Sequence, residues 1–404
     1  MEFLISISMK SKINLNVLNG NKQKKRIHNP NCSKANGSFS SFEQLEALDL
    51  NLVGDFDDLA RGFSKTAFGA RSLGEAADIL YEMSNDKGCF KILTLSGAMT
   101  MAKMGLLVCD MIDNGMVDAV VSTGALISHG LVESVGKVHF KDPGDISDDM
   151  LRKMKLNLVY DTLESDENLE YIGFAVEEVI EKLDTKKPTR SYEINSMLGE
   201  HLARNHKGRG ILKSAFLKKV PVYIPAFTDS VIGLHFAIIN RERKLEGRQP
   251  IMFDPFLDLD HYANLVFQSE RTGIFTIGGG VPRNWAQQVA PYLDWIRYKL
   301  ISKSDPSRYI SKDKNDPYVK QFQYGVRVCP EPIHLGGLSG CTYSEGISWG
   351  KFVPPSEGGR YAEVYADATI AWPIILKAVM ERMKKNKIKP AEAKKQTIAK
   401  IIGF

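Results

Sequence analysis

Apolar positions take up a regular rhythm only after the first forty residues. Up to about position 41 the chain mixes Asn, Lys, Ser and Gly with no apolar period, which predicts a flexible basic tail over 1–41. The run F-E-Q-L-E-A-L then predicts an amphipathic helix starting near Phe42. Two further helical stretches follow at 56–68 and 73–84. Residues 90–95 (F-K-I-L-T-L) form a continuous apolar run of strand length, closed by Ser96-Gly97-Ala98. A helical pattern over 99–114 leads to a second strand at 117–121, closed by Ser122-Thr123-Gly124-Ala125. Two parallel strands joined by such a helix predict a right-handed crossover.

The alternation continues. Residues 128–187 are less regular, with a polar loop at 141–145 and a helix at 169–183. Helices at 192–204 and 211–218 precede a strand at 222–225, which ends near Thr228-Asp229-Ser230. A helix at 264–271 is expected before a strand at 274–277. That strand opens into Gly278-Gly279-Gly280-Val281-Pro282, with a helix after Asn284. Residues 298–320 read as a charged surface excursion. Strands at 323–329 and 362–366 follow, the second leading through Asp367-Ala368-Thr369 into a helix that Asp367 or Thr369 caps. Strands alternating with helices predict an α/β protein: a doubly wound, mostly parallel sheet with helices on both faces. No repeat or linker interrupts it. The expected organisation is therefore a tail over 1–41, one domain over 42–384 and a Lys-rich C-terminal extension over 385–404.

Composition narrows the function classes. The chain has 404 residues, 43% hydrophobic and 25% charged, which is ample for a large core. Its net charge of +5 concentrates basic residues at both ends, where no aromatic residues interleave with them, so no nucleic-acid partner is expected. No run of about 18 apolar residues occurs, which predicts no membrane span. Five cysteines without paired spacing fit reduced thiols in a cytoplasmic protein. Eight histidines show no H-E-x-x-H or Cys/His cluster, so no metal is expected.

Candidate chemistry lies where the strands end. Gly278-Gly279-Gly280 would let backbone N–H groups approach a phosphate closely, and Ser96-Gly97-Ala98, Thr123-Gly124-Ala125, Thr228-Asp229 and Asp367-Ala368 repeat the theme. Five such ends on one edge predict a large ligand such as a dinucleotide. His129 is a candidate base or ligand donor, or a cap of the following helix. Asp229 and Glu345 could pair with a cationic substrate or shape turns. Cys341 has no base placed near it by the sequence. The stretch G-G-L-S-G-C-T-Y-S-E-G-I-S-W-G-K ends on Lys351, which desolvation beside Trp349 would turn into an amine nucleophile.

Taken together, T-L-S-G-A-M-T (94–100), S-T-G-A (122–125), P-A-F-T-D (225–229), G-G-G-V-P (278–282), E-G-I-S-W-G-K (345–351) and V-Y-A-D-A (364–368) resemble the deoxyhypusine synthase family. The resemblance covers about 90–380, and the S-W-G-K and V-Y-A-D-A pair at this spacing is its specific part. It implies a Rossmann-like fold, a homotetramer with active sites between subunits, and NAD as cofactor. It further implies that Lys351 is catalytic, capturing the butylamine fragment of spermidine as an imine before an acceptor amine takes it. By the same resemblance Ser96, Gly97, Thr100, Thr123, Gly124, Ala125, Asp229, Gly279, Asp367 and Ala368 would hold the cofactor. His129, Asn284, Glu345 and Trp349 would face the substrate.

The chain also departs from that family. Ser128-His129 stands where the family carries two glutamates, Leu234 and Leu338 each replace an acid, and Asn284 replaces a histidine. Losing an acid opposite a buried ammonium leaves that charge unpaired, at a cost of roughly 3–5 kcal/mol. The pattern resembles the deoxyhypusine synthase-like branch, whose small-molecule amine donor and acceptor amine or protein need not be those of the true synthases. Homospermidine synthesis with putrescine as acceptor, or NAD binding without transfer, are the alternatives.

Overall fold

The buried strands are apolar almost from end to end, as strands covered on both faces must be. The computed structural model describes residues 42–301, 316 and 318–387. Among them the strands are β1 (Cys89–Leu95), β2 (Ala119–Ser122), β3 (Phe140–Lys141), β4 (Leu156–Val159), β5 (Thr162–Ser165), β6 (Val222–Tyr223), β7 (Arg271–Ile277), β8 (Phe322–Val328) and β9 (Arg360–Val364). Six of these form one parallel sheet in the order β6-β2-β1-β7-β8-β9, while β3-β5-β4 make a separate antiparallel sheet. The large sheet starts in its middle, winds outward to β6, returns across β1 to β7 and winds outward again. This is the doubly wound order, and its switch point lies between β1 and β7.

Register decides what the sheet presents at its carboxyl edge. Leu95 pairs with Ser122 on one side and Ile277 on the other; Ile277 pairs with Val328, and Val328 with Val364. The residues that follow, Ser96, Thr123, Gly278, Cys329 and Tyr365, therefore emerge level with one another. Side-chain alternation along the strands splits the core in two. Leu93, Leu95, Val120, Phe275 and Ile277 pack with the helices Phe68–Asn85, Gly105–Asp113 and Ala368–Lys385. Ile92, Ala119, Val121 and Ile274 pack with the helices Phe256–Phe267, Gly280–Gln287 and Val289–Ile296. Each fully buried Leu or Ile contributes about 1.5–3 kcal/mol to the hydrophobic term.

Several elements differ from the sequence reading. Residues 43–49 are not helical, and only the 3-10 turn Leu50–Leu52 follows, because the apolar side of this segment stays exposed at Leu45, Leu50 and Leu52. The helix expected at 264–271 runs instead over Phe256–Phe267, and Arg271 already belongs to β7. The β3-β5-β4 sheet was not anticipated, its strands being only two to four residues long. The excursion over 298–320 lies mostly outside the described residues. Its last part is not on the surface: Tyr318 is buried against Phe267, and the buried Arg297 pairs with Asp316. The tail over 1–41 and residues 388–404 also lie outside the described residues. Lys385, placed by the sequence reading at the start of the C-terminal extension, closes the last helix and pairs with Asp55, Asp57 and Asp58. No helix among the described residues is long and apolar enough to cross a membrane.

Candidate active site

Glycine builds the floor of the switch point. Gly97 and Gly278 hold φ of +78° and +76°, where a side chain would be strained. The Gly279 N–H donates to Ser96 Oγ at 2.8 Å, which ties the end of β7 to the end of β1. A Cβ on Gly279 would stand 2.5 Å from Ser339 Cα, and one on Gly124 would stand 2.3 Å from Ser230 Cβ. These glycines keep backbone close to backbone along the crevice. We expect Gly279→Ala to destabilise the fold by about 1–3 kcal/mol through overpacking, seen as a lower midpoint in urea unfolding.

Other predicted ligand residues are committed to local structure. Thr123 Oγ1 caps the helix Gly124–Ser134 by accepting from Leu126 N at 3.3 Å. Thr100 is buried, and its hydroxyl donates to the Leu126 carbonyl at 2.9 Å, so it fastens the turn after β1 to the start of the helix Gly124–Ser134 rather than offering a free group. The Asp367 carboxylate caps the helix Ala368–Lys385, accepting from Thr369 N at 2.6 Å, and these bonds hold it below the usual carboxylate range. Ala368 is buried under that cap, while Ala125 is exposed at the start of its helix. Asp229 is exposed, and Ser230 rather than Asp229 caps the helix Val231–Leu245.

A second set of predicted residues comes together elsewhere. Asn284, Glu345, Trp349 and Lys351 line one groove of about 1710 Å³, together with Arg283, Leu338 and Cys341. Thr342 caps the helix Tyr343–Ser348, accepting from Glu345 N at 3.1 Å, and the Lys351 N–H donates to the Gly346 carbonyl at 3.0 Å. The main chain of Lys351 is thereby fixed to the end of this helix. Burial lowers the Lys351 pKa, and the positive charge of Arg283 lowers it further against the opposing pull of Cys341 and Glu345. Trp349 is not the enclosing wall that the sequence suggested: it is 72% exposed, and its ring centroid lies 6.0 Å from Lys351 Nζ. Burial raises the Cys341 thiol pKa, helped by Glu345, which disfavours a thiolate nucleophile.

Two residues that sequence reasoning passed over hold this groove in shape. Buried Arg283 donates to the Cys341 carbonyl at 2.7 Å. Buried Arg327 donates to the carbonyls of Ser339 and Cys341 at 2.6 and 2.9 Å, and its charge is met by Glu363 at 2.9 Å. Glu363 in turn accepts from Tyr343 N at 2.6 Å. The available signal was an arginine in the middle of an apolar strand, G-V-R-V.

His129 does not line the groove. Its Nδ1 lies 2.5 Å from Glu164 on β5, and Glu164 also meets His139 Nε2 at 3.1 Å. Burial alone would raise Glu164, but the two histidines outweigh it and hold the carboxylate down at about 2. Burial would likewise lower His139, yet the carboxylates of Glu133 and Glu164 raise it.

A doubly wound sheet opens a crevice for a ligand where its strand order reverses, and this one lines that point with glycines. The sequence profile "Deoxyhypusine synthase" matches residues 58–379, and the chain belongs to the deoxyhypusine synthase family, a family of transferases. It is 33% identical over 330 residues to "Probable deoxyhypusine synthase 1" of Methanosarcina acetivorans, covering 82% of this chain and 92% of that one. It is 29% identical over 336 residues to a "Deoxyhypusine synthase-like protein" of Elusimicrobium minutum, covering 82% of each. A crystal structure from Entamoeba histolytica, assigned as a deoxyhypusine synthase, shares the fold with a TM-score of 0.51 at 15% identity. It covers 87% of this chain and 100% of that one.

Proposed function

We propose that this chain transfers an aminobutyl or related alkyl group from an amine such as spermidine to an acceptor amine, with Lys351 carrying the group as an imine and NAD as cofactor. The observation that carries this reading is Lys351 itself, partly buried beside Arg283 and so kept closer to neutrality than a solvated lysine. The strand ends fit a dinucleotide, because side chains on Gly97, Gly124, Gly278 or Gly279 would be strained or would fill the crevice. Ser96, Gly97 and Gly279 would hold it. When bound, NAD supplies hydride transfer from and back to carbon–nitrogen bonds.

The chain's own residues supply the rest. Neutral Lys351 adds through Nζ to the electrophilic carbon of the donor, and the departing amine carries away the proton that Nζ sheds. The acceptor amine reverses the exchange and frees Lys351. Arg283 and Arg327 keep the loop carbonyls fixed while this happens. In one chain the groove of Lys351 includes none of the strand-end glycines. This supports a site completed by a second copy, as in a homotetramer.

Borohydride trapping with NAD and spermidine tests the reading. The adduct should map to Lys351. Because a lowered pKa leaves more neutral amine, the trapping rate should rise with pH through a midpoint below the ordinary lysine value of about 10.4. Glu345→Gln removes a charge that holds this pKa up, so its midpoint should fall further. A wild-type midpoint at the ordinary value would overturn the desolvation argument. Polyamine analysis with putrescine present would reveal homospermidine if that is the product, and NAD binding with no amine turned over would leave a binding protein.

A further inference from the structure

The cluster of His129, His139 and Glu164 is independent of the groove of Lys351. Three separate elements bring it together: the helix Gly124–Ser134, the segment before β3, and β5. The Glu164 side chain is 1% exposed and that of His139 is 0%, whereas His129 is 21% exposed. One donor atom from each residue lies within 4.8 Å of the others. The carboxylate already meets both imidazoles, Oε2 at 2.5 Å from His129 Nδ1 and Oε1 at 3.1 Å from His139 Nε2, contacts that an ion between the three side chains would replace.

We propose that His129, His139 and Glu164 form a binding site for a first-row divalent cation of the zinc class, which fastens the small antiparallel sheet to the doubly wound domain. Two imidazoles and one carboxylate match the donor preferences of such ions. A tetrahedral zinc with bonds of about 2.0–2.1 Å holds its ligand atoms about 3.4 Å apart. The His129 nitrogen and the carboxylate oxygen, now 2.5 Å apart, therefore need to open by roughly 0.9 Å, a side-chain rotation, with all three donors already within 4.8 Å of one another. Glu133 stands 3.9 Å from the other nitrogen of His139, a side-chain adjustment away from the hydrogen bond by which a carboxylate orients a ligating imidazole. Lys103, which also reaches that nitrogen at 2.8 Å, is about half exposed and can swing away. The partly exposed edge of His129 gives the ion its route in, and three protein ligands leave a fourth position for water.

The test uses the full chain, stripped with a chelator and dialysed against Zn²⁺. One equivalent should bind per chain, and the cation should raise the midpoint of thermal unfolding. Glu164→Gln should lose the bound equivalent. Should that variant fail to fold, His129→Ala, at the exposed edge of the cluster, should fold and still lose it. Glu133→Gln should weaken binding by about 10- to 100-fold, as loss of an orienting carboxylate does. Co²⁺ in place of Zn²⁺ should give visible absorption that disappears in His129→Ala. Equal Zn²⁺ uptake by wild type and His129→Ala, or no uptake by wild type, would overturn the proposal and leave the cluster as an imidazole–carboxylate lock.

Discussion

Lys351→Ala should lower amine turnover on the order of 10³-fold or more and abolish the borohydride adduct, while tight NAD binding and the thermal midpoint stay close to wild type. The expectation rests on position. The backbone of Lys351 is fixed by its bonds to Gly346 and Phe322, which do not depend on the side chain, so truncation removes the amine and little else. Lys351→Arg should be equally inactive, because a guanidinium remains protonated and cannot form the imine. A variant that turned over amines at the wild-type rate would end the imine mechanism, whatever the family.

The largest expected effect on stability lies far from that lysine. Arg382 is almost fully buried and donates to Asp57 at 2.5 Å and to Asp78 at 2.6 Å; Asp57 is itself 2% exposed and also meets Lys385. This cluster joins the helix Phe56–Ser64 to the helix Ala368–Lys385. Asp57→Ala leaves the guanidinium of Arg382 short of its closest partner in a buried place and should cost about 3–5 kcal/mol in urea unfolding. Burial pushes the Asp57 pKa up, but hydrogen bonding to Arg382 outweighs it and holds the folded value below normal. The sign follows from that depression. Its contribution is complete above the unfolded value of about 3.9 and is lost as pH falls through the lower folded value. Wild type should therefore lose stability more steeply below about pH 4 than Asp57→Ala does. Parallel pH profiles would refute the assignment.

Much of the fold was legible because parallel strands buried on both faces leave unbroken apolar runs, and residues 90–95, 117–121 and 323–329 each led to a real strand. The small sheet was not, since its strands are two to four residues long and carry neither a clean alternation nor a continuous apolar run. The helix at 264–271 was misplaced for a related reason: periodicity cannot say where an apolar helix gives way to an apolar strand. In the candidate site, the turn that carries Lys351 into the groove was readable as a local motif. The cluster of His129, His139 and Glu164 was not, because its members are 10 and 25 residues apart in the chain and only the tertiary fold brings them together. Thr100 and Asp367 show the converse: both lie in matching motifs, yet the hydroxyl of one and the carboxylate of the other are engaged in holding the backbone.

Arg283 and Arg327 grip the 339–341 turn only through its carbonyl oxygens. Carbonyls are the same whatever side chain follows them, so this grip is blind to the residue at position 338. The turn can be rewritten at Leu338, altering what enters the groove, without displacing Lys351. The lining of the groove can therefore be varied at position 338 alone, with the main chain around Lys351 left in place as a constant.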